Sequence, residues 1–326
     1  MTRTGLSKWG RFAGSGVVLG VLVWRVGTGP FLNGFRTIDG WSLAAAFGLA
    51  LLTTVCCAWR WKIVASGLGV EIGLPGAVAA YYRSLILNLT LPGGVVGDVH
   101  RGLSHGRDVD DVGRALRAVG WERFAGQVVQ TALTMAVLLA LPSPVHSSMP
   151  EVAIVIAAVV AGLVLAARAR PGRGRSAWTR ARNAASGDIR HGLLGRRAWP
   201  AIALASALVV GGHAVTFVIA ARTAGVTAPI SHLLPLVLLI LLIGVVPSVG
   251  GWGPREGATA WAFAAAGLGA SQGVATAVVY GVMAFVAALP GAAVLVVSWS
   301  RRTHLLKRVE ERRGRTSTCL SVRTPC

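Results

Sequence analysis

Acidic side chains are scarce in this chain of 326 residues. Twelve Asp and Glu stand against 32 Lys and Arg, and charged residues of both signs make up only 13%. A soluble domain of this size carries about a quarter charged residues, so a water-soluble globule is excluded. Cysteine is also rare: Cys56 and Cys57 lie in an apolar stretch, Cys319 and Cys326 near the C-terminus. Their spacing fits neither a disulfide framework nor a metal site, and no metal or other cofactor is expected. The alternating segments of about ten residues that a membrane β-barrel needs are missing. So are the phosphate-loop, hydrolase-elbow, zinc-protease and dinucleotide motifs. The longest polar loop, 168–199, is Arg-rich and lacks apolar periodicity. It does not read as a separate catalytic domain.

What is present is hydrophobic: 54% of residues, with a mean hydropathy of +0.63. The apolar residues fall in blocks at about 12–29, 40–58, 121–141, 151–167, 200–221 and 270–299, near the length that crosses a bilayer. Hydrocarbon offers backbone amides no partner, so these blocks are expected to be helices. The first lacks a small-residue cleavage site and is expected to remain as a span. Pro290-Gly291 is expected to kink the last one. Two further blocks, about 76–92 and 230–247, each end in a Pro/Gly-rich break.

The net charge of +20 would suggest nucleic acid in a soluble protein. Here it clusters between and after the apolar blocks, at Arg3, Lys8 and Arg11, in the nine arginines of 168–199, and in 301–326. That is the positive-inside pattern of a multi-pass protein, expected in the plasma membrane with both termini cytoplasmic, and nucleic acid is excluded as a partner. Attraction to anionic lipid is a secondary effect. Trp9, Trp24, Trp41, Trp59, Trp61, Trp199 and Trp299 lie near block ends, as an aromatic belt requires. Arg25, Arg36 and Arg222 read as snorkelling residues, and Arg60 and Lys62 as a cytoplasmic flank.

The loop 142–150 has no Lys or Arg and is assigned outside, the loop 168–199 inside. Block 76–92 must then begin and end inside, and block 230–247 must begin and end outside. The fold expected is all-α: an inverted-topology repeat of six spans with two re-entrant broken-helix hairpins. Residues 1–300 form one membrane domain, with pseudo-repeats at about 12–141 and 151–299. The basic tail 301–326 is expected to be cytoplasmic and disordered.

The breaks read LPGGVVGDVHR, from Leu91 to Arg101, and PSVGGWGPRE, from Pro247 to Glu256. Proline ends the entering helix, and glycine lets a second backbone or a ligand come close. Gly93, Gly94, Gly97, Gly250, Gly251 and Gly253 are the positions expected to serve in that way. A returning helix then presents free N–H groups to an anion. Arg101 and Arg255 add charge-assisted bonds to phosphate, while Asp98 and Glu256 orient those arginines or meet an ammonium. A mutual lock between the two hairpins is the structural alternative. Glu122 and Arg123, at the entrance of the next span, are expected either as a local ion pair or at a cavity rim. His100 and His105 are weak metal candidates. Asp108 and Asp110 match a D-x-D pattern, but DVDDVGRALRAVGWERF reads better as a helix start with acids at its N-terminus.

Taken together, PGGVVGDVHR and GGWGPRE resemble the paired P-G-G-x-G-G-D-x-x-R and G-G-x-G-x-R-E elements of the lysylphosphatidylglycerol synthase transmembrane family. WERFAG (Trp121 to Gly126) and LGASQGVATAVVYGV fit the same layout. Val96 departs from it, replacing a glycine next to the Gly97-Asp98 pair. The resemblance implies a flippase-like domain that moves a phospholipid or lipid-linked head group, with Asp98, Arg101, Arg255 and Glu256 at the head group. In the bacterial lysylphosphatidylglycerol synthases a separate soluble domain makes the aminoacyl lipid, and no such domain is seen here. The chain is therefore expected to be a transporter rather than an enzyme. The alternatives are a membrane-embedded glycosyl or aminoacyl transferase, or a non-catalytic partner of a separately encoded lipid-modifying enzyme.

Overall fold

The computed structural model describes residues 20, 23–24, 27–91, 94–141, 177–243 and 253–321. Most of the expected first span, all of 151–167, and Pro92, Gly93 and residues 244–252 in the two breaks lie outside these residues. The described chain is helical, with no strand among the described residues. In order, the helices are α1 (Gly29–Arg36), α2 (Gly40–Gly67), α3 (Leu74–Thr90), α4 (Val96–Asp108), α5 (Val112–Ala140), α6 (Ala177–Asp188), α7 (Ala198–Thr223), α8 (Ile230–Ile243), α9 (Pro254–Ala265) and α10 (Ala270–Ser321). A π-helical turn, Ile189–Leu193, follows α6.

Four of these helices are long and apolar enough to cross a membrane: α2, α5, α7 and the segment Ala270–Ser298 of α10. This is a membrane protein. Each of the four matches an apolar block of the sequence. α10 continues to Ser321 as helix, through the basic segment that composition alone assigns to a disordered tail. Large apolar side chains on the spans remain exposed, among them Leu52, Leu204, Leu208, Phe285 and Leu289. Lipid is their natural solvent, because a Leu surrounded by acyl chains is as well solvated as one in a core.

Local signals set several helix ends. Asp39 caps α2, its carboxylate accepting from the Ser42 amide at 3.0 Å. Asp111 caps α5 in the same way through Arg114, at 2.9 Å. The acidic cluster of the sequence therefore does start a helix, nine residues before the apolar block begins (112 against 121). α6 is tied to α5 by Asp188, which accepts from Arg117 Nε at 2.8 Å and Trp121 Nε1 at 3.1 Å.

The buried apolar residues form two main clusters. One joins α2, α3 and α5 through Ala58, Trp61, Val64, Ala77, Tyr81 and Ala118. The other joins α7, α8, α9 and α10 through Phe217, Leu233, Val237, Phe263, Val279 and Met283. α2 and α7 cross between them in the broadest helix contact of the molecule. Gly212 admits the Thr53 methyl group at that crossing, in keeping with the small residues that let membrane helices approach closely. The short helices α4 and α9 pack on the helices that flank them in sequence, α3 and α5 for the first, α8 and α10 for the second.

Candidate functional site

Tyr81, Ser84 and Asn88 recur at three- and four-residue spacing along α3 and so share one face. That face meets the first turn of α4. Gly97 makes the approach possible, because a Cβ there would overlap the Ser84 carbonyl. Asn88 joins the two helices: its Oδ1 accepts from the Gly97 amide at 2.8 Å, and its Nδ2 donates to Asp98 at 3.2 Å. One of the unpaired N–H groups at the start of α4 is thereby satisfied.

Asp98 gathers four donors. Besides Asn88 it accepts from Ser84 Oγ at 3.0 Å, Arg101 Nη2 at 3.0 Å and Arg123 Nη2 at 2.8 Å. Arg101 is 1% exposed and also donates to Glu122 Oε2 at 3.1 Å. Its guanidinium carbon lies 4.5 Å from the Trp61 ring centroid and 4.1 Å from that of Tyr81. Nε and Nη1 have no hydrogen-bond partner; the two aromatic faces stand in their place.

Glu122 is the hub. It is fully buried, and its Oε1 accepts from Arg60 through both Nε, at 2.9 Å, and Nη2. The Tyr81 hydroxyl donates to the same oxygen at 3.0 Å. Arg60 reaches on to α7, where Nη1 donates to Ser206 Oγ at 2.9 Å. Gly126, one turn along α5 from Glu122, leaves room for the Arg60 guanidinium, which a Cβ would meet at 2.6 Å. Glu122 and Arg123 do not form the local ion pair expected as one alternative. Glu122 faces inward to Arg60 and Arg101, and Arg123 turns to Asp98. The i and i+1 positions of a helix do not face each other.

The second motif is simpler. Gly253, at φ 102°, precedes α9. Its amide donates to Glu256 Oε2 at 2.6 Å, the half of a capping box available to a glycine. Glu256 Oε1 accepts from Arg255 Nε at 3.0 Å and Nη2 at 2.6 Å. Arg255 lies over the Tyr280 ring, 5.4 Å from its centroid. The Tyr280 hydroxyl is 3.1 Å from His213 Nδ1 on α7. Polar contacts therefore link Asp98 to Arg123 at the first motif and join His213 through Tyr280 to Arg255 and Glu256 at the second.

The model of the lysylphosphatidylglycerol synthase TM region matches residues 9–313. The chain belongs to that family. No curated protein matches it in sequence. In this member of the lysylphosphatidylglycerol synthase TM family, the motif residues Asp98, Arg101 and Glu256 are buried and Arg255 is partly so. Gly94 adopts a positive φ of 64° and Gly253 one of 102°. Gly93, Gly250 and Gly251 lie outside the described residues. Among the described residues no group of three or more His, Cys, Asp or Glu is placed to hold a metal.

Several members of the site are absent from the motif reading: Arg60, Trp61, Tyr81, Ser84, Asn88, Ser206, His213 and Tyr280. Two signals were there to be read. Asn88 interrupts the apolar run LILNLTL, and the sequence has only three tyrosines, two of which hold arginines of the site. Arg60 gave no such signal, since an arginine at the end of an apolar block reads as a snorkelling flank.

Proposed function

We propose that the chain is a flippase-type transporter that carries a phospholipid or lipid-linked head group past the polar groups of the two motifs. The observation that carries this reading is the exposure of Arg123 and His213 far from either end of their helices. Arg123 lies two residues inside the apolar block that begins at Trp121, and His213 about 15 Å from the end of α7, at 1.5 Å per residue. An ionised side chain facing acyl chains is costly. An exposed, ion-paired arginine there belongs to a wet crevice, and irregular backbone is tolerated beside one. In this reading α3–α4 and α8–α9 are the two re-entrant hairpins. Arg123 and Arg255 meet the phosphate, Asp98 and Glu256 orient them, and Arg101 locks the first hairpin to α5.

An inverted repeat is part of the proposal. Pairing α2 with α7, α3 with α8, α4 with α9 and α5 with α10 exchanges each of the main contacts among these eight helices for another such contact. For example, α3 on α10 exchanges with α8 on α5, and α2 on α5 with α7 on α10. Three pairs start 158 residues apart, at 40 and 198, 96 and 254, and 112 and 270. At that offset Asp98 corresponds to Glu256, each the third residue of its short helix. The ends of α2 and α7 also correspond. Gly69 (φ 78°) and Gly225 (φ 86°) are each followed by a buried valine. Val70 donates to Ala65 at 3.0 Å and Val226 to Ala221 at 2.9 Å, the long bond of a Schellman end. Two such halves rocking about the α2–α7 crossing would open the crevice to either side.

The test is lipid translocation in vesicles containing the purified protein, read with a head-group-accessible quencher. Arg255→Ala is expected to slow transfer by about tenfold or more, the loss of a charge-assisted phosphate contact. An unchanged rate in a folded variant would count against the reading.

A further inference from the structure

The charges gathered at the two motifs do not cancel. Around the first motif three arginines, Arg60, Arg101 and Arg123, meet two acids, Asp98 and Glu122. Around the second, Arg255 balances Glu256. The segments that complete the two breaks, residues 92–93 and 244–252, contain no charged side chain. Of the other acids, Asp39, Glu71, Asp108, Asp110, Asp111 and Asp188 fall at helix ends or in connecting segments, and Glu310 and Glu311 lie beyond residue 300. Among the described residues the site is left with one positive charge in excess.

The acids themselves are fully engaged. Asp98 accepts from four side chains. Glu122 accepts from three, and Glu256 from Arg255 and from the Gly253 amide. An ammonium group entering the crevice would have to displace an arginine from one of them. The arginine that carries the excess to solvent is Arg123. Its side chain is 45% exposed, whereas Arg60 and Arg101 are buried. Its Nη2 holds Asp98, and the rest of a five-donor fork remains. An anion beside Arg123 is therefore stabilised twice, by a charge-assisted contact and by neutralising the cluster.

We infer that the crevice recognises an anionic phosphodiester head group through Arg123, in preference to an aminoacylated one. This deepens the transport reading and rests on it for the lipid nature of the ligand. A lysylated head group sets two ammonium groups against one phosphate, and the described site offers them no free carboxylate. The familiar aminoacyl lipid named in the family's description is therefore a poor electrostatic match to this member.

The test is equilibrium binding to the purified full chain in detergent, by calorimetry. The probes are dihexanoyl phosphatidylglycerol, its lysyl ester and inorganic phosphate. The anionic lipid is expected to bind at least about tenfold more tightly than the lysyl ester, the worth of one charge-assisted contact. Arg123→Gln should remove that preference. Arg123→Lys keeps the charge and the Asp98 pair, and should retain most of it, which also covers misfolding of the glutamine variant. Equal or tighter binding of the lysyl ester would overturn the inference. So would a folded Arg123→Gln protein with unchanged affinities. Displacement of the lipid by an equal concentration of inorganic phosphate would assign the site to free phosphate instead. If binding follows the expected order but vesicles show no transfer, the transport reading fails and the recognition site stands.

Discussion

Glu122 shows at the scale of one residue what a buried charge requires. It is the single acid between Arg60 and Arg101, both buried, and the Tyr81 hydroxyl completes its coordination. Removing one member of such a cluster leaves the others uncompensated, at a cost of about 3–5 kcal/mol. Glu122→Gln is therefore expected to lower the melting temperature in detergent strongly and to reduce the yield of folded protein. A melting temperature within a degree or two of the parent would mean that the arginines are solvated by other means. Sequence reasoning singled out Glu122 and Arg123 as a pair. Their adjacency hid their separation, since neighbouring helical positions point about 100° apart.

The helices are set by short-range features that the chain spells out, and by close contacts that it does not. Asp39, at the N-cap of α2, is exposed. Hydrogen bonding from the Ser42 hydroxyl and amide holds its carboxyl below the ordinary carboxylate value of 3.8. A depressed pKa means that the cap's contribution is complete above the unfolded-state value and is lost as pH falls through the folded one. Carbonyl-labelled NMR titration should place its midpoint below that of a Ser42→Ala variant. An identical midpoint would exclude the hydroxyl's part, and a midpoint at or above 3.8 would exclude the cap.

Gly97 is the contrasting case at the element scale. An alanine Cβ there would overlap the Ser84 backbone, whereas at Gly120 nothing lies within 4 Å. Gly97→Ala should force α3 and α4 apart at a cost of about 1–3 kcal/mol or more. Gly120→Ala should be neutral or stabilising by a few tenths of a kcal/mol up to about 1. Thermal unfolding of the two variants side by side decides the point. Equal effects would show that the α3–α4 contact is not tight.

For the whole molecule, the proposed repeat makes a topological prediction. Glu71 follows the end of α2 and Thr227 the end of α7, at corresponding and exposed positions. In a variant without Cys56, Cys57, Cys319 and Cys326, Glu71→Cys and Thr227→Cys should react with an impermeant thiol reagent from opposite sides of the membrane. Labelling of both from the same side would rule out the inverted arrangement. It would also remove the exchange of helix contacts as an argument for two equivalent halves.

The sequence alone determined that this is a helical membrane protein. Few charges and block-length apolar runs leave no other way to satisfy the backbone. Four of its blocks and the Asp111 helix start could be read in place, because caps and hydropathy act within a few residues. The motifs marked Asp98, Arg101, Arg255 and Glu256 because Pro, Gly and charge are out of place in an apolar helix. Only the tertiary structure decided who pairs with whom. Arg60, Tyr81, Asp98, Glu122 and Ser206 come from five helices, and their encounter depends on how those helices rotate. Lipid-facing and core-facing positions are equally apolar, so no periodicity in the sequence records that rotation.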